Sequence, residues 1–190
     1  MQVYKSIELG ANVLGEVVAG TDIPQDVFSR KFKNYLFFDI DIGSSATLIS
    51  AIQLITKTFS GLESTVKVFA SVNRELLGYL SSDSAWLVEI SKINKAMRNS
   101  GDCGGLILVD AAGKWVVYQN RPIDIGVFAF DGDQDMKSIA TVIEECFFDC
   151  EQIACWLSAK GGRDIGLVES IGRDFLNTLM QNYSAQSIDS

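Results

Sequence analysis

The sequence predicts an α+β or mixed α/β fold, in which a largely antiparallel sheet of about five to seven strands carries helices packed against it. Two observations support this prediction. Residues 104–130 contain three short runs of β-branched and aromatic residues separated by turn residues, which is typical of strands joined by hairpins. Other segments repeat apolar residues at helical spacing, which is typical of helices that cover a sheet.

The length and composition indicate a single domain over residues 1–190. The chain has 190 residues, of which 47% are hydrophobic and only two are proline. A chain of this size can bury one core, and this composition is not that of a disordered protein. Within the domain, residues 1–33 are predicted to form an N-terminal hairpin extension and residues 182–190 a frayed polar tail.

The N-terminal part of the chain predicts a hairpin, a loop and a central strand. Residues 2–9 and 12–19 alternate loosely in polarity around Gly10, which favours two paired strands. Residues 20–26 contain several turn formers and predict a loop. Residues 34–42 begin with apolar residues on both faces, as expected of a strand in the middle of a sheet.

The next segment predicts a helix followed by a strand. Ser44 and Ser45 offer a hydroxyl N-cap to this helix, and Gly61 ends it. Residues 65–70 then form another apolar strand. The helix repeats apolar residues at Leu48, Ile49, Ile52, Ile55 and Phe59.

A helical region in two parts is predicted between this strand and the three-strand meander of residues 104–130. Its second part starts near Ser84 and stops at Gly101, because glycine favours the end of a helix. One face of this second part carries Trp86, Ile90, Ile93 and Met97. After the meander, the last third of the chain is predicted to be helical.

In that last third, an amphipathic helix begins at Met136, continues through Trp156 and ends at Gly161. Its core-facing residues are Met136, Ile139, Ala140, Ile143, Cys146 and Phe147. Asp164 is predicted to cap a final helix. The inward residues of that helix are Val168, Ile171, Phe175 and Leu179.

The charge and composition exclude several functional classes. Sixteen basic and 24 acidic residues give a net charge of -8, which repels polyphosphates, so DNA and RNA are not expected partners. A basic protein, a cation or a neutral small molecule fits this charge better. The chain has no histidine. This absence excludes Ser-His-Asp and Cys-His nucleophile systems, His-ligated zinc and histidine acid–base catalysis.

The opening residues suggest a cytoplasmic protein. No basic segment followed by an apolar one is present near Met1, and no window approaches 18 uncharged apolar residues, so neither a signal peptide nor a membrane span is expected. The four cysteines are then expected to be free thiols. A mature secreted form that has lost its signal is the alternative.

The first candidate site is the Asp39-Ile40-Asp41-Ile42-Gly43-Ser44 stretch at the end of a strand. Two carboxylates at a strand end, just before a helix, could hold Mg²⁺ while the helix amides receive a phosphate. The stretch resembles the first motif of haloacid-dehalogenase-type phosphohydrolases, in which an apolar strand runs into Asp-x-Asp-Gly-Thr. In this chain Ile42 stands before the glycine. The non-catalytic alternative is that both aspartates are solvated or cap a turn.

The resemblance implies roles for several residues. Asp39 would be the phosphoryl-accepting nucleophile and Asp41 the acid–base. Ser71 would match the second motif and Lys114 the third, and the metal-binding fourth motif would be supplied by Asp131 and Asp135. These side chains would have to converge at the carboxyl ends of parallel strands.

The second candidate is the acidic cluster of Asp131, Asp133 and Asp135. Its spacing is similar to the start of a calcium loop, but Met136 and Val142 occupy the positions that need glycine and a bidentate glutamate. An EF-hand is therefore excluded. The cluster is better interpreted as a turn in which Asp133 or Asp135 caps the following helix.

The cysteines form the third candidate. Cys146 and Cys150 lie one helical turn apart in the predicted helix, so they could share a soft metal ion or be redox-active. The alternative, which the spacing favours, is that all four are small buried apolar residues. The full set is Cys103, Cys146, Cys150 and Cys155.

Aromatic residues near the acids suggest a protein-binding surface. Any of them left exposed beside an acid would form an aromatic-centred, acid-rimmed patch that can anchor a basic partner protein. The aromatic residues on or beside the predicted sheet are Tyr35, Phe37, Phe38, Trp115, Tyr118, Phe128, Phe130 and Trp156. The acids predicted to bind a partner are Asp39, Asp41, Asp124, Asp131, Asp133 and Asp135.

Two functional hypotheses follow from the sequence. The favoured one is a non-catalytic, acidic cytoplasmic binding protein, and its most specific form is a bacterial immunity or antitoxin-type protein that neutralises a cationic toxin. This hypothesis assigns no catalytic residue, no metal and no cofactor, and no nucleic-acid or membrane partner. The alternative is the Mg²⁺-dependent phosphohydrolase that uses Asp39 and Asp41.

Overall fold

The structure is a computed structural model that describes residues 13–60, 65–132 and 140–184. Its centre is a six-stranded antiparallel sheet, which confirms the predicted α+β fold. The strands are β1 Asn34–Phe38, β2 Thr65–Ala70, β3 Leu76–Ser81, β4 Leu106–Asp110, β5 Trp115–Tyr118 and β6 Gly126–Phe130. Besides a short helical segment at residues 13–17, the described helices are α1 Ala46–Ser60, α2 Trp86–Asn99, α3 Ala140–Cys146, α4 Cys150–Ser158, α5 Gly162–Ile171 and α6 Arg173–Tyr183.

The strand order across the sheet is β1-β6-β5-β4-β2-β3, and every neighbouring pair is antiparallel. The register places the end of β1 beside the start of β6, because Phe38 lies opposite Gly126. The end of β2 lies beside the start of β4 in the same way, with Ala70 opposite Leu106. The loops that follow β1, β2 and β5 therefore gather at one end of the sheet.

Helices cover both faces of the sheet, which gives three layers. Strand side chains alternate between the two faces, so each face buries its own apolar set. The first face packs against α1 and α2. The second face packs against residues 13–32 and against α4, α5 and α6. Burying one isoleucine, leucine or phenylalanine side chain contributes roughly 1.5–3 kcal/mol, so these two layers supply most of the stabilisation.

Several predicted elements of the first two thirds are confirmed. Strand β2 has the predicted bounds, and α1 and α2 cover the predicted helices up to residue 60 and residue 99. The three-strand meander of residues 104–130 is present as β4, β5 and β6. Gly101 has a φ of 88°, which fits its predicted role just after the end of α2.

The first part of the predicted helical region after β2 is wrong, because residues 76–81 form strand β3. Arg74 adopts a φ of 59° in the turn after β2, and Asn73 accepts a hydrogen bond from the amide of Glu75. This turn reverses the chain, so that β3 pairs back onto β2. In strand β3 the residues form backbone hydrogen bonds with β2, and one side of the strand is covered. These tertiary contacts outweigh the local helical pattern.

The single helix predicted from Met136 to Gly161 is also wrong, because residues 147–149 interrupt it. Phe148 exchanges two backbone hydrogen bonds with Phe37 at the outer edge of β1, with N···O distances of 2.7 and 2.9 Å. Asp149 then starts α4 with a capping box, in which its carboxylate and the Gln152 side chain each bond the other's backbone N–H. Met136 and Ile139 lie outside the described residues.

The final helix is divided in two at Gly172, which has a φ of 102°. Only glycine adopts such a backbone conformation without strain, so α5 ends there and α6 begins. Asp164 lies in the first turn of α5 and does not cap it, since the capping position is Gly161. Of the residues predicted to face the core from this helix, Val168 and Leu179 are buried.

The ends of the chain differ from the prediction where they are described. Residues 13–17 are helical, so the second strand of the predicted N-terminal hairpin is absent, and residues 2–9 lie outside the described part. Tyr183 is 1% exposed and accepts a hydrogen bond from the amide of Val27. Asn182 donates to the carbonyl of Pro24, so residues 182–183 are held against the N-terminal segment, and residues 185–190 lie outside the described part.

Among the described helices, none is both long enough and apolar enough to cross a membrane.

Candidate functional site

Four loops meet at the end of the sheet where β1 and β2 finish, and we call them the loop rim. They comprise residues 39–43, 71–73, 101–105 and 120–125. Antiparallel pairing brings them together, because the ends of β1, β2 and β5 lie beside the starts of β4 and β6. The rim contains three of the six aspartates predicted to bind a partner.

Gln119 fixes two of these loops to each other. Its side chain is fully buried, and its Oε1 accepts a hydrogen bond from the amide of Ile42 at 3.0 Å. Its Nε2 donates to the carbonyls of Ile40 at 3.1 Å and Asp124 at 2.9 Å. Because all three backbone groups are satisfied by one buried amide, the positions of the two loops depend on this side chain.

Ser71 joins the other two loops of the rim. Its Oγ donates to the carbonyl of Asn120 at 2.7 Å and accepts from the amide of Gly105 at 2.9 Å. The backbone of Gly105 lies so close to that of Gln119 that a Cβ atom there would sit 2.1 Å from the Gln119 carbonyl oxygen. The rim is therefore a tightly bonded unit instead of four independent loops.

Asp41 is engaged in local structure at the start of α1. One carboxylate oxygen accepts from the amide of Gly43 at 2.8 Å, and the other accepts from the Ser44 hydroxyl at 2.8 Å. Arg98 lies 3.6 Å from the same carboxylate. The Oγ of Ser45 accepts from the amide of Leu48 and supplies the predicted hydroxyl cap. This geometry is that of the turn-capping alternative for Asp41.

Asp39 and Asp124 differ from Asp41 because their carboxylates have no partner in the described part of the protein. Asp39 is exposed, Asp124 is half-buried, and within the described ranges neither carboxylate forms an ion pair or a hydrogen bond. Strand β1 ends at Phe38, so Asp39 lies outside the strand that was predicted to continue to residue 42. These two carboxylates are therefore available to another molecule, as is the exposed guanidinium of Arg121 on the same loop as Asp124, which has no ion pair with a described residue.

Two apolar side chains are exposed on the same rim. Ile123 is 88% exposed and Val72 is 67% exposed, which are the highest values among the large apolar residues described. Val72 and Arg121 line an open depression of about 480 Å³, together with Gly101, Asp102, Cys103 and Gly104. The rim thus combines free carboxylates with exposed apolar surface.

Of the other three predicted site residues, only Asp131 belongs to the described part of the chain. Asp131 lies at the opposite end of the sheet, where its amide donates to the carbonyl of Lys114. Its carboxylate is 2.8 Å from Arg30 and also accepts from the amide of Lys33, so it ties the N-terminal segment to the end of β6. Asp133 and Asp135 lie outside the described residues.

The convergence that the phosphohydrolase alternative requires is absent among its described residues. Asp39 and Ser71 lie on the rim, whereas Lys114 and Asp131 lie at the opposite end of the sheet. The reason is topological: parallel strands would place their carboxyl ends at one edge, but all pairs in this sheet are antiparallel, so the ends alternate. Asp135, the remaining residue, is outside the described part.

The predicted proximity of Cys146 and Cys150 is wrong. Cys146 ends α3 and packs on the first face of the sheet, while Cys150 begins α4 and packs on the second face. Burial raises the pKa of both thiols, that of Cys150 to about 11, which favours the unreactive protonated form. Across the described ranges all four cysteines are free, and no group of three His, Cys, Asp or Glu side chains could hold a metal ion.

The predicted aromatic-centred patch is also absent from the described surface near the acids. Seven of the eight aromatic residues are buried and Trp156 is half-buried, because the sheet lies between two helical layers and both of its faces are covered. The exposed apolar residues on the rim are aliphatic. Sequence reasoning missed Ile123, although its place in the Asn-Arg-Pro-Ile-Asp turn was a usable signal, since such turns favour polar residues.

The sequence matches no protein-family model, and no curated protein or solved structure is significantly similar to it.

Proposed function

We propose that this chain is a non-catalytic, acidic binding protein of the bacterial cytoplasm that acts by covering a basic partner protein. Its most specific form is an immunity or antitoxin-type protein whose rim carboxylates occupy the cationic active site of a toxin. The partner is expected to be a protein of positive net charge. Neither a nucleic acid nor a membrane is expected as a partner, because the chain carries a net charge of -8.

The observation that supports this proposal is the pair of free carboxylates on the rim. Asp39 and Asp124 lack ion-pair and hydrogen-bond partners among the described residues, although Asp41 beside them is fully engaged. A carboxylate without an internal partner is free to form an ion pair with a lysine or arginine of another molecule. The Gln119 side chain holds the backbone of both loops in place, so little ordering entropy is lost on binding.

The overall charge supports the same partner class. Opposite charges accelerate the encounter of two proteins, and salt screens this attraction over about 8–10 Å at physiological ionic strength. A chain with eight more acidic than basic residues therefore gains association rate specifically with basic partners. Binding is expected to weaken steeply as the salt concentration rises.

The proposal is tested with the product of the gene immediately upstream, because toxin and antidote genes are expected to be adjacent. The two proteins are purified separately, and their association and dissociation rates are measured at several salt concentrations. We expect the Asp39→Asn, Asp124→Asn double variant to associate about tenfold more slowly, with a reduced salt dependence. In a toxicity assay, this variant should protect cells less well than the natural chain.

A matched control separates a local effect from a change in total charge. Asp83 is exposed between β3 and α2, at the end of the sheet opposite the rim. Asp83→Asn removes one charge and is compared with the single variants Asp39→Asn and Asp124→Asn, which also remove one charge each. This control should associate at close to the natural rate. The proposal would be contradicted if the partner were acidic or if the association rate did not respond to salt. It would also be contradicted if the Asp83 and Asp39 variants changed the association rate equally.

A further inference from the structure

The turn at residues 121–124 presents the most exposed large apolar side chain of the described residues, that of Ile123. The amide of Asp124 donates to the carbonyl of Arg121 at 3.0 Å, which closes a β-turn with Pro122 at its second position and Ile123 at its third. Glycine, asparagine, aspartate and serine are preferred at such tips, and a β-branched apolar residue is not. Ile123 therefore contributes nothing to the core and does not follow the turn's own preference.

The turn is fixed at both of its ends. Before it, the carbonyl of Asn120 accepts from the Ser71 hydroxyl; after it, the carbonyl of Asp124 accepts from the buried Gln119 amide. Ile125, the next residue, packs against the core on the second face of the sheet. Pro122 also fixes its own φ, so the Ile123 side chain projects from a rigid support. A rigid apolar projection can be buried by a partner with little loss of conformational entropy.

The charges next to this projection favour a basic partner, because the two free carboxylates outnumber the one exposed cation of the turn, Arg121. Asp124, directly after Ile123, has a carboxylate with no ion-pair partner among the described residues, and Asp39 on the adjacent loop is in the same state. A pocket that receives Ile123 would bring these carboxylates against its edge. A pocket with an acidic edge would be repelled, whereas one with a basic edge would be attracted.

We propose that Ile123 is the anchor of the rim and enters an apolar pocket whose edge carries lysine or arginine side chains, on a basic partner protein. This inference rests on the proposed function and adds the chemistry of the contact. Ile123 supplies apolar burial at the centre of the interface, and Asp124 and Asp39 supply charge at its edge. Such an arrangement, with an apolar centre and a charged periphery, is typical of energetically important interface positions.

The first experiment uses a host molecule that imitates this pocket, namely β-cyclodextrin with an amino group at the 6-position of every glucose unit. Its apolar cavity is surrounded by ammonium groups. The host is titrated into isotope-labelled protein, and the isoleucine methyl and backbone amide signals are followed by NMR. We expect saturable shifts at Ile123 and at residues 121–125, and at least about tenfold weaker binding for Ile123→Ser, since an apolar side chain is removed from the contact.

Two controls make this result specific. Ile165 is 44% exposed and is also next to an aspartate, Asp164, but it lies on helix α5, so Ile165→Ser should leave binding of the host unchanged. Underivatised β-cyclodextrin, which has the cavity without the charges, should bind several-fold more weakly, as should the cationic host with Asp124→Asn. Serine suits an exposed turn, and unchanged thermal unfolding of Ile123→Ser confirms that the variant is folded.

The second experiment uses the upstream-encoded basic protein and separates the two proposals. Both proposals are supported if that protein binds the natural chain and if its affinity for Ile123→Ser is at least about tenfold lower. If it binds both equally well, the anchor is refuted and the proposed function stands. If it does not bind while the cationic host still selects Ile123, the toxin–antidote form of the proposed function fails, and the preference of Ile123 for an apolar pocket with a basic edge stands. The anchor would be refuted if Ile123→Ser did not change binding of the host. It would also be refuted if the natural chain self-associated with rising concentration and Ile123→Ser abolished that self-association.

Discussion

The buried Oε1 of Gln119 accepts a hydrogen bond from the backbone amide of Ile42, 77 positions earlier in the chain, at 3.0 Å. Ile42 itself is fully buried, so this amide has no access to water. The bond joins the loop after β1 to the end of β5. The same glutamine also holds the carbonyls of Ile40 and Asp124, which makes it the main polar support of the loop rim.

Replacing Gln119 by leucine should therefore destabilise the protein strongly. The variant leaves one buried amide and two carbonyls without their partner, and an unsatisfied buried polar group costs about 1–3 kcal/mol. We expect the free energy of unfolding in urea to fall by about 2–5 kcal/mol. Gln181→Leu, at an exposed position on α6, is the control and should change it by less than about 0.5 kcal/mol. A small effect of Gln119→Leu would show that the rim does not depend on this side chain.

The close approach of Gly105 to the backbone of Gln119 gives a second prediction. A Cβ atom at Gly105 would lie 2.1 Å from the Gln119 carbonyl oxygen, so Gly105→Ala forces the β4 and β5 backbones apart. We expect a loss of about 3 kcal/mol or more in the free energy of unfolding. Gly166→Ala is the opposite control, because no neighbouring atom of the described residues lies within 4 Å of its Cβ position on α5. It should stabilise the protein by about 0.5–1 kcal/mol, since alanine favours a helix.

Replacing aspartate by asparagine should affect stability at the ion-paired Asp131 and partner binding at the free Asp39. Asp131→Asn removes the ion pair with Arg30 and should lower the free energy of unfolding by about 0.5–1 kcal/mol, because both groups are partly exposed to solvent. Asp39→Asn removes no ion pair or hydrogen bond with any residue that the structure describes, and it should leave stability within about 0.5 kcal/mol of the natural value. Binding of a basic partner should respond in the reverse order. Equal effects of the two variants on either property would contradict this division.

Alkaline pH should destabilise the protein, beginning near pH 9. Burial raises the pKa of Cys150 from its ordinary value of 9.0 to about 11, and burial also raises those of Tyr118 and Tyr183. Between pH 9 and about pH 11 the Cys150 thiol has lost its proton in the unfolded chain but keeps it in the folded protein. The free energy of unfolding therefore falls as pH rises. The stabilisation is complete below pH 9 and, for Cys150, is lost as pH rises through about 11.

Urea unfolding at pH 7, 8, 9 and 10 measures this effect. Cys150→Ser removes the thiol, so its stability should decline less than that of the natural chain between pH 9 and pH 10. Cys155→Ser changes an exposed thiol with no such burial and should follow the natural curve. If both variants lose stability with pH as the natural chain does, burial of Cys150 is not the cause.

Local patterns were sufficient for the elements whose residues interact mainly with their own neighbours in sequence. The apolar runs and turn residues of the meander predicted β4, β5 and β6, and the serine cap and apolar spacing predicted α1. Both signals are local, because turn dihedrals and helix caps depend on residues a few positions apart. The charge and the lack of histidine also come from the sequence alone and define the class of the proposed function.

The missed elements are those that distant contacts decide. Residues 76–81 became a strand because β2 was available for pairing, and residues 147–149 left the helix because Phe148 pairs with Phe37 across the edge of β1. In both places the local pattern was compatible with a helix. Backbone hydrogen bonds to a partner far away in sequence selected the other conformation, and no local window contains that partner.

The sequence by itself determined an acidic α+β domain with a central meander and identified Asp39, Asp41 and Asp124 as candidates. Only the tertiary structure decided that these three lie together, that Asp131 lies at the opposite end of the sheet, and that Ile123 is exposed beside them. The physical reason is the antiparallel topology. It gathers alternate strand ends at each edge of the sheet, and that assignment depends on which strands pair, which is a property of the whole chain.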